Sequence, residues 1–130
     1  MDEDIRMEII VHEKNGSRVA VVRAPGIMLN EIQDALDLMA TADYTHGCRK
    51  VVLCRRNLPD AFFSLKTGLA GEILQKFSNY GVALAVVGDF SGIQSRSLRD
   101  FIRECNRGSQ VFFVSSEEEA LENLHSVELP

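Results

Sequence analysis

Two runs near the amino end, residues 7–12 and 18–23, are rich in β-branched side chains and are separated by Lys14-Asn15-Gly16-Ser17. An Asn-Gly pair between such runs predicts a tight β-hairpin, because both central residues must take positive φ. Ala24-Pro25-Gly26 ends the second strand, since proline cannot donate to a sheet. Ile32, Ala35, Leu36, Met39 and Ala40 then recur at helical spacing behind Asn30, which is placed as N-cap with Gln33 three residues on, and the helix is expected to reach about Ala42. Residues 51–54 and 82–87 are short and continuously apolar, the pattern of strands covered on both faces, and 82–87 is expected to be the central one. Between them, residues 61–63 suggest a short helical turn, and Leu69, Ile73, Leu74, Phe77 and Tyr80 mark a second helix from Thr67 to Gly81. Leu98, Phe101, Ile102 and Cys105 mark a third, capped near Ser95 or Ser97 and ended by Gly108. Val111-Phe112-Phe113-Val114 is a fifth strand, and Ser115-Ser116-Glu117-Glu118-Glu119 opens a last helix with acids suited to its positive end.

The order is ββαβαβαβα, an α/β class with one five-stranded mixed, mostly parallel sheet, and residues 1–130 are expected to form a single domain. Alternating strands and helices imply parallel neighbours, so strands two to five should run parallel and the first antiparallel to the second. At 130 residues, 45% hydrophobic and 25% charged, such a chain can bury a core without disulfides or a structural metal.

A formal net charge of −5 argues against a nucleic-acid partner. The acidic Met1-Asp2-Glu3-Asp4 start lacks the features of a signal peptide, and no apolar run is long enough for a membrane helix, so a cytoplasmic location and no membrane partner are expected. Cys48, Cys54 and Cys105 are an odd number without a Cys-x-x-Cys pair, which fits reduced thiols. Those cysteines and His12, His46 and His125 are scattered, so no metal is expected, and no cofactor motif occurs. Cys105 is assigned to the core. Cys54, beside Arg55 and Arg56, is either a structural thiol or one activated by the two charges.

Ligands of parallel sheets bind at the strands' carboxyl ends. Three segments fall there: Cys54-Arg55-Arg56-Asn57 leading to Lys66-Thr67-Gly68, the stretch from Gly88 and Asp89 through Ser91 to Ser97, and Ser115-Ser116. Thr67 is either exposed at a helix start, where Gly68 and Gly71 let a partner or phosphate approach, or a plain cap with the glycines packing the helix on the sheet. The spacing is not that of a P-loop. Arg96, Arg99, Arg103 and Arg107 form a stripe that either grips an acidic partner or pairs with Asp100 and Glu104 in solvent. Asp89 is acceptable as a base but fits a turn role better.

The segments Ile32-Gln33-Asp34-Ala35-Leu36-Asp37-Leu38-Met39, Leu65-Lys66-Thr67-Gly68-Leu69-Ala70-Gly71-Glu72-Ile73-Leu74-Gln75-Lys76-Phe77-Ser78-Asn79-Tyr80, Gly88-Asp89-Phe90-Ser91 and Ser97-Leu98-Arg99-Asp100-Phe101-Ile102 resemble an uncharacterised prokaryotic family, a domain of unknown function. The resemblance covers nearly the whole chain and implies no activity. The element order is also similar to that of STAS domains of the anti-sigma-factor antagonist type. Their phosphorylation loop, Asp-Ser-Ser/Thr-Gly-Leu-Gly, corresponds to Leu65-Lys66-Thr67-Gly68-Leu69-Ala70, which sets Thr67 at the phosphoacceptor position, with Leu65 replacing the loop acid and Lys66 beside the acceptor. The resemblance implies a non-enzymatic regulatory domain that binds a protein through Thr67, Lys66, Gly68 and the loop from Asp89 to Ser97. The alternative is a small enzyme or a binder of a small anion or nucleotide, held by Arg55, Arg56, Lys66 and the N–H groups near Ser91 to Ser97; Arg55, Arg56, Asp89, Ser91, Ser95, Arg96 and Ser97 are the candidate anion or partner contacts. A homo-oligomer formed through the first strand or through Phe62 and Phe63 is a third expectation.

Overall fold

The structure, a computed structural model, describes residues 7–129; the acidic residues 1–4 lie outside them. Strands β1 (Glu8–Lys14) and β2 (Ser17–Arg23) form the predicted hairpin, with Asn15 at φ 52° and Gly16 at φ 85°. Both turn residues are therefore left-handed, as a two-residue turn matched to strand twist requires. Then follow α1 (Ile32–His46), β3 (Lys50–Cys54), α2 (Leu69–Asn79), β4 (Ala83–Val87), α3 (Arg96–Arg107), β5 (Val111–Val114) and α4 (Glu117–His125). Between β3 and α2 the chain makes three short 3-10 turns, Arg55–Asn57, Asp60–Phe63 and Leu65–Thr67.

The sheet order is β1-β2-β3-β4-β5, with β1 antiparallel to β2 and all later pairs parallel. The central strand is therefore β3, not β4 as residues 82–87 suggested. Continuous apolarity marks any interior strand, and position within the sheet is set by the connections. Because the order never reverses, right-handed crossovers put α1, α2 and α3 on one face. There Ala35, Leu38, Ala42, Ile73 and Phe77 pack with Val22, Val51, Leu53, Leu84 and Phe113. The opposite face, with Val19, Val21, Val52, Ala85, Phe112 and Val114, is covered by α4 through Ala120 and Leu124. β1 is an edge strand, and its Ile10 is 45% exposed.

Several boundaries differ from the sequence reading for physical reasons. The N-cap of α1 is Glu31, not Asn30, and the reciprocal box uses Asp34, whose Oδ2 accepts the N–H groups of both Asn30 and Glu31. The helix runs past Ala42 to His46 and stops only at Gly47, whose φ of 67° lets the Gly47 and Cys48 N–H groups close on the last carbonyls. Thr67 is not the first residue of α2: Gly68, at φ 79°, is the N-cap. Gly68 and Gly71 have open space where a Cβ would stand, so neither serves close packing on the sheet. Phe62 is 1% exposed and belongs to the core, which removes it as an oligomer contact, and Cys105 is only half-buried at the core's margin. Ser95 caps α3 by accepting the Leu98 N–H, while Ser97 lies inside the helix. Ser116 caps α4 by accepting the Glu119 N–H.

Candidate functional site

At the strands' carboxyl ends, β3 leads directly into Arg55 and β4 into Gly88 and Asp89. The Arg55 guanidinium lies 5.1 Å from the Phe63 ring centroid and 5.3 Å from that of Phe90, and one of its N–H groups donates to the Asp89 carbonyl. Gly88 makes this crossing possible, since a Cβ there would come within 2.7 Å of Arg55 Cβ. Arg55 thus ties the end of β3 to the loop after β4 and joins the aromatic group Phe62, Phe63, Phe90 and Phe113. Arg56 is exposed and donates through Nε to the Ala24 carbonyl. Both arginines border an open depression of about 310 Å³ with Ile27, Leu58, Asp60 and Phe63.

Thr67 follows the 60–63 turn and is exposed, as are Lys66 and Gly68. Its hydroxyl proton is shared between the carbonyls of Ala61 (2.7 Å) and Ser64 (2.9 Å), and Oγ1 accepts the Leu69 N–H at 3.2 Å. The hydroxyl therefore fastens the 3-10 turns to the start of α2. In the next loop, Asp89 Oδ1 accepts both the N–H and the hydroxyl of Ser91. These two bonds hold the exposed Asp89 carboxyl below its ordinary value and keep it ionised. Arg96 is 3.9 Å from Asp100, Arg103 is 3.2 Å from it, and Arg107 is 3.7 Å from Glu104; Arg99 donates to the Ile93 and Gln94 carbonyls. The arginine stripe is laced to its own helix and loop.

Two groupings were not visible in the sequence. Asn57 is fully buried: Oδ1 accepts the Cys54 N–H at 2.8 Å, Nδ2 donates to the carbonyls of Ala24 and Gly26, and its own carbonyl accepts the N–H groups of Met28 and Leu29. It pins the loop before α1 to the end of β3. At the opposite, amino edge, His12 and His125 are not scattered: Nδ1 of His12 is 2.8 Å from Nε2 of His125, whose Nδ1 is 2.7 Å from Ser17 Oγ. Ser17 Oγ also accepts from Lys50 Nζ at 2.9 Å.

No helix among the described residues is long and apolar enough to cross a membrane, and none of their His, Cys, Asp and Glu side chains gather in threes as a metal site would need. No curated protein and no solved structure matches the chain. One family does match, over residues 14–124, which takes in every element from the end of β1 nearly to the end of α4: the chain belongs to the family described as a domain of unknown function (DUF4180).

Proposed function

We propose that this domain is a non-enzymatic regulatory module, STAS-like in its element order, that docks a protein partner through the surface formed by Thr67, Lys66, Gly68 and the loop from Asp89 to Ser97. The observation that carries the reading is the Thr67 hydroxyl. It is exposed to a modifying enzyme, yet its one proton fastens the 3-10 turns to α2. A phosphate on Oγ1 removes that proton and sets roughly −1.5 to −2 charge against two carbonyl oxygens. The dipole of α2 and Lys66 accept the charge while the 60–67 segment loosens. A partner that reads this segment then meets a different surface in each state.

Mass spectrometry of the chain isolated from its native cells tests the switch, with a phosphopeptide at Thr67 as the expected result. Hydrogen exchange supplies the structural half: Thr67→Glu should speed exchange over residues 60–68, whereas Thr67→Ser should leave it unchanged. Absence of the phosphate across growth phases, or equal exchange in both variants, overturns the reading. A second reading rests on the depression bordered by Arg55 and Arg56, which has room for a small anionic ligand. Thermal stabilisation by an organic phosphate, abolished by Arg55→Ala with Arg56→Ala, would favour it.

A further inference from the structure

Lys50 opens β3 at the amino edge of the sheet and is only 6% exposed. Its ammonium donates to Ser17 Oγ and to the Val127 carbonyl at 2.6 Å. An ammonium carries three donors and no acceptor, so one N–H remains after these two bonds. Among the described residues no carboxylate lies within ion-pair distance of it. A buried charge is ordinarily paired with an opposite charge, because neutral acceptors alone repay only part of its lost hydration.

On the hairpin side of Lys50 the polar groups form one chain of hydrogen bonds. Lys50 can only donate, so Ser17 Oγ accepts from it, and the same oxygen lies 2.7 Å from His125 Nδ1. His125 Nε2 in turn lies 2.8 Å from His12 Nδ1. A hydroxyl and two imidazoles carry no negative charge, so this side of the cluster supplies no anion. On the other side, Lys50 and Ser17 line an open depression of about 270 Å³ with Gly16, Arg18, Gly47, Arg49 and Leu129. Arg18 is tied to Glu13 at 2.9 Å and to the His46 carbonyl, whereas Arg49 is held only by a 3.9 Å approach to Asp43. Three cations therefore border one small hollow, and neither Glu13 nor Asp43, their acidic partners, lines it.

We infer that the hollow at the sheet's amino edge is a binding site for a small phosphate-bearing ligand, with Lys50 as its buried anchor, Arg49 and Arg18 as flanking cations and Leu129 as an apolar wall. A dianion suits more than one cation, which favours phosphate over a carboxylate. Burial already pushes the Lys50 pKa below the ordinary lysine value, and an arriving anion would restore it. The site is separate from the Thr67 surface, and its test does not depend on that reading.

The experiment titrates the ¹⁵N-labelled chain with inorganic phosphate at neutral pH, with sodium chloride and sodium acetate at matched ionic strength as parallel arms. Saturable shifts at the Gly16, Gly47 and Leu129 amides are expected with phosphate and not with chloride. Lys50→Met should weaken binding by about tenfold or more, the usual worth of a hydrogen bond from a charged donor. Should Lys50→Met fail to fold, Arg49→Gln, an exposed change, carries the same comparison with a smaller loss. Phosphate shifts no larger than those of chloride, stronger saturation by acetate, or variants that titrate like the parent would each overturn the assignment.

Discussion

Replacing Asn57 with alanine removes three hydrogen bonds from one fully buried side chain, and their separate losses can be worked from the surroundings. The Gly26 carbonyl is in an exposed residue and recovers water at little cost. The Ala24 carbonyl keeps the weaker Arg56 Nε donor at 3.3 Å, so its loss is partial, about 0.5 kcal/mol. The Cys54 N–H keeps no other partner at the end of an interior strand, about 1–2 kcal/mol. The vacated space adds roughly 1 kcal/mol. The sum is about 3 kcal/mol. Unfolding entropy of roughly 2.1 cal/mol/K per residue gives about 0.27 kcal/mol per degree for 130 residues, hence a Tm lower by about 11 °C in calorimetry. Asn57→Asp gives the sharper comparison. It keeps the acceptor for Cys54 but turns a carboxylate oxygen toward the Ala24 and Gly26 carbonyls, so at neutral pH it should cost at least as much as alanine. Acidification should restore part of the loss, because the protonated acid can donate to one carbonyl. An Asn57→Ala protein within about 0.5 kcal/mol of the parent, or an aspartate variant more stable than the alanine one at neutral pH, would refute this account of the buried amide.

Gly88→Ala sets a methyl group within 2.7 Å of Arg55 Cβ; backbone or Arg55 must shift, and urea denaturation should show a loss of about 1–3 kcal/mol. His125 is held below the ordinary value of 6.5, first by burial and then by His12, Lys50 and Lys14. Its folded pKa lies under its unfolded one, so the unfolded chain binds more protons in between. Stability from this group is complete above about pH 6.5 and declines as pH falls through the folded value. Thermal melts from pH 8 to pH 5 should therefore drop more steeply for the parent than for His125→Gln, and parallel curves would contradict the lowered His125 pKa.

The elements with local signals were legible in the sequence. Asn15-Gly16 fixes the hairpin, the serines before α3 and α4 mark their caps, and residues 111–114 can only be a buried strand. Where the start of α1 was misread, the deciding residue was unusual for its position: glutamate is a poor N-cap on propensity, and Glu31 serves because Asp34 closes the box from the other side. Contacts between distant residues were not legible. Lys50 meets Ser17 across 33 positions, and His125 meets Ser17 and His12 across 108 and 113. No spacing rule reaches that far; only the docking of α4 across the sheet beside the hairpin creates the cluster. Asn57 looked like one more polar loop residue because its role depends on the path of residues 24–29 above it.

Strand order decides what each end of this sheet can do. In a doubly wound sheet the order reverses, and crossovers leaving in opposite directions open a crevice at the carboxyl ends. Here β2 to β5 advance in one direction, the crossover helices share one face, and the carboxyl edge is filled by three 3-10 turns and the stack of Arg55 between Phe63 and Phe90. That edge offers a shaped surface with a shallow depression beside it, which suits docking. The amino edge is built differently, from the hairpin turn, the end of α1 and the segment after α4, none of which continues into its neighbour. Where such separate pieces meet, a hollow with a buried cation remains. The two ends are therefore separable by mutation. Arg55→Ala with Arg56→Ala alters the carboxyl edge and leaves Lys50 and Ser17 in place, while Lys50→Met leaves Thr67 bonded to Ala61 and Ser64.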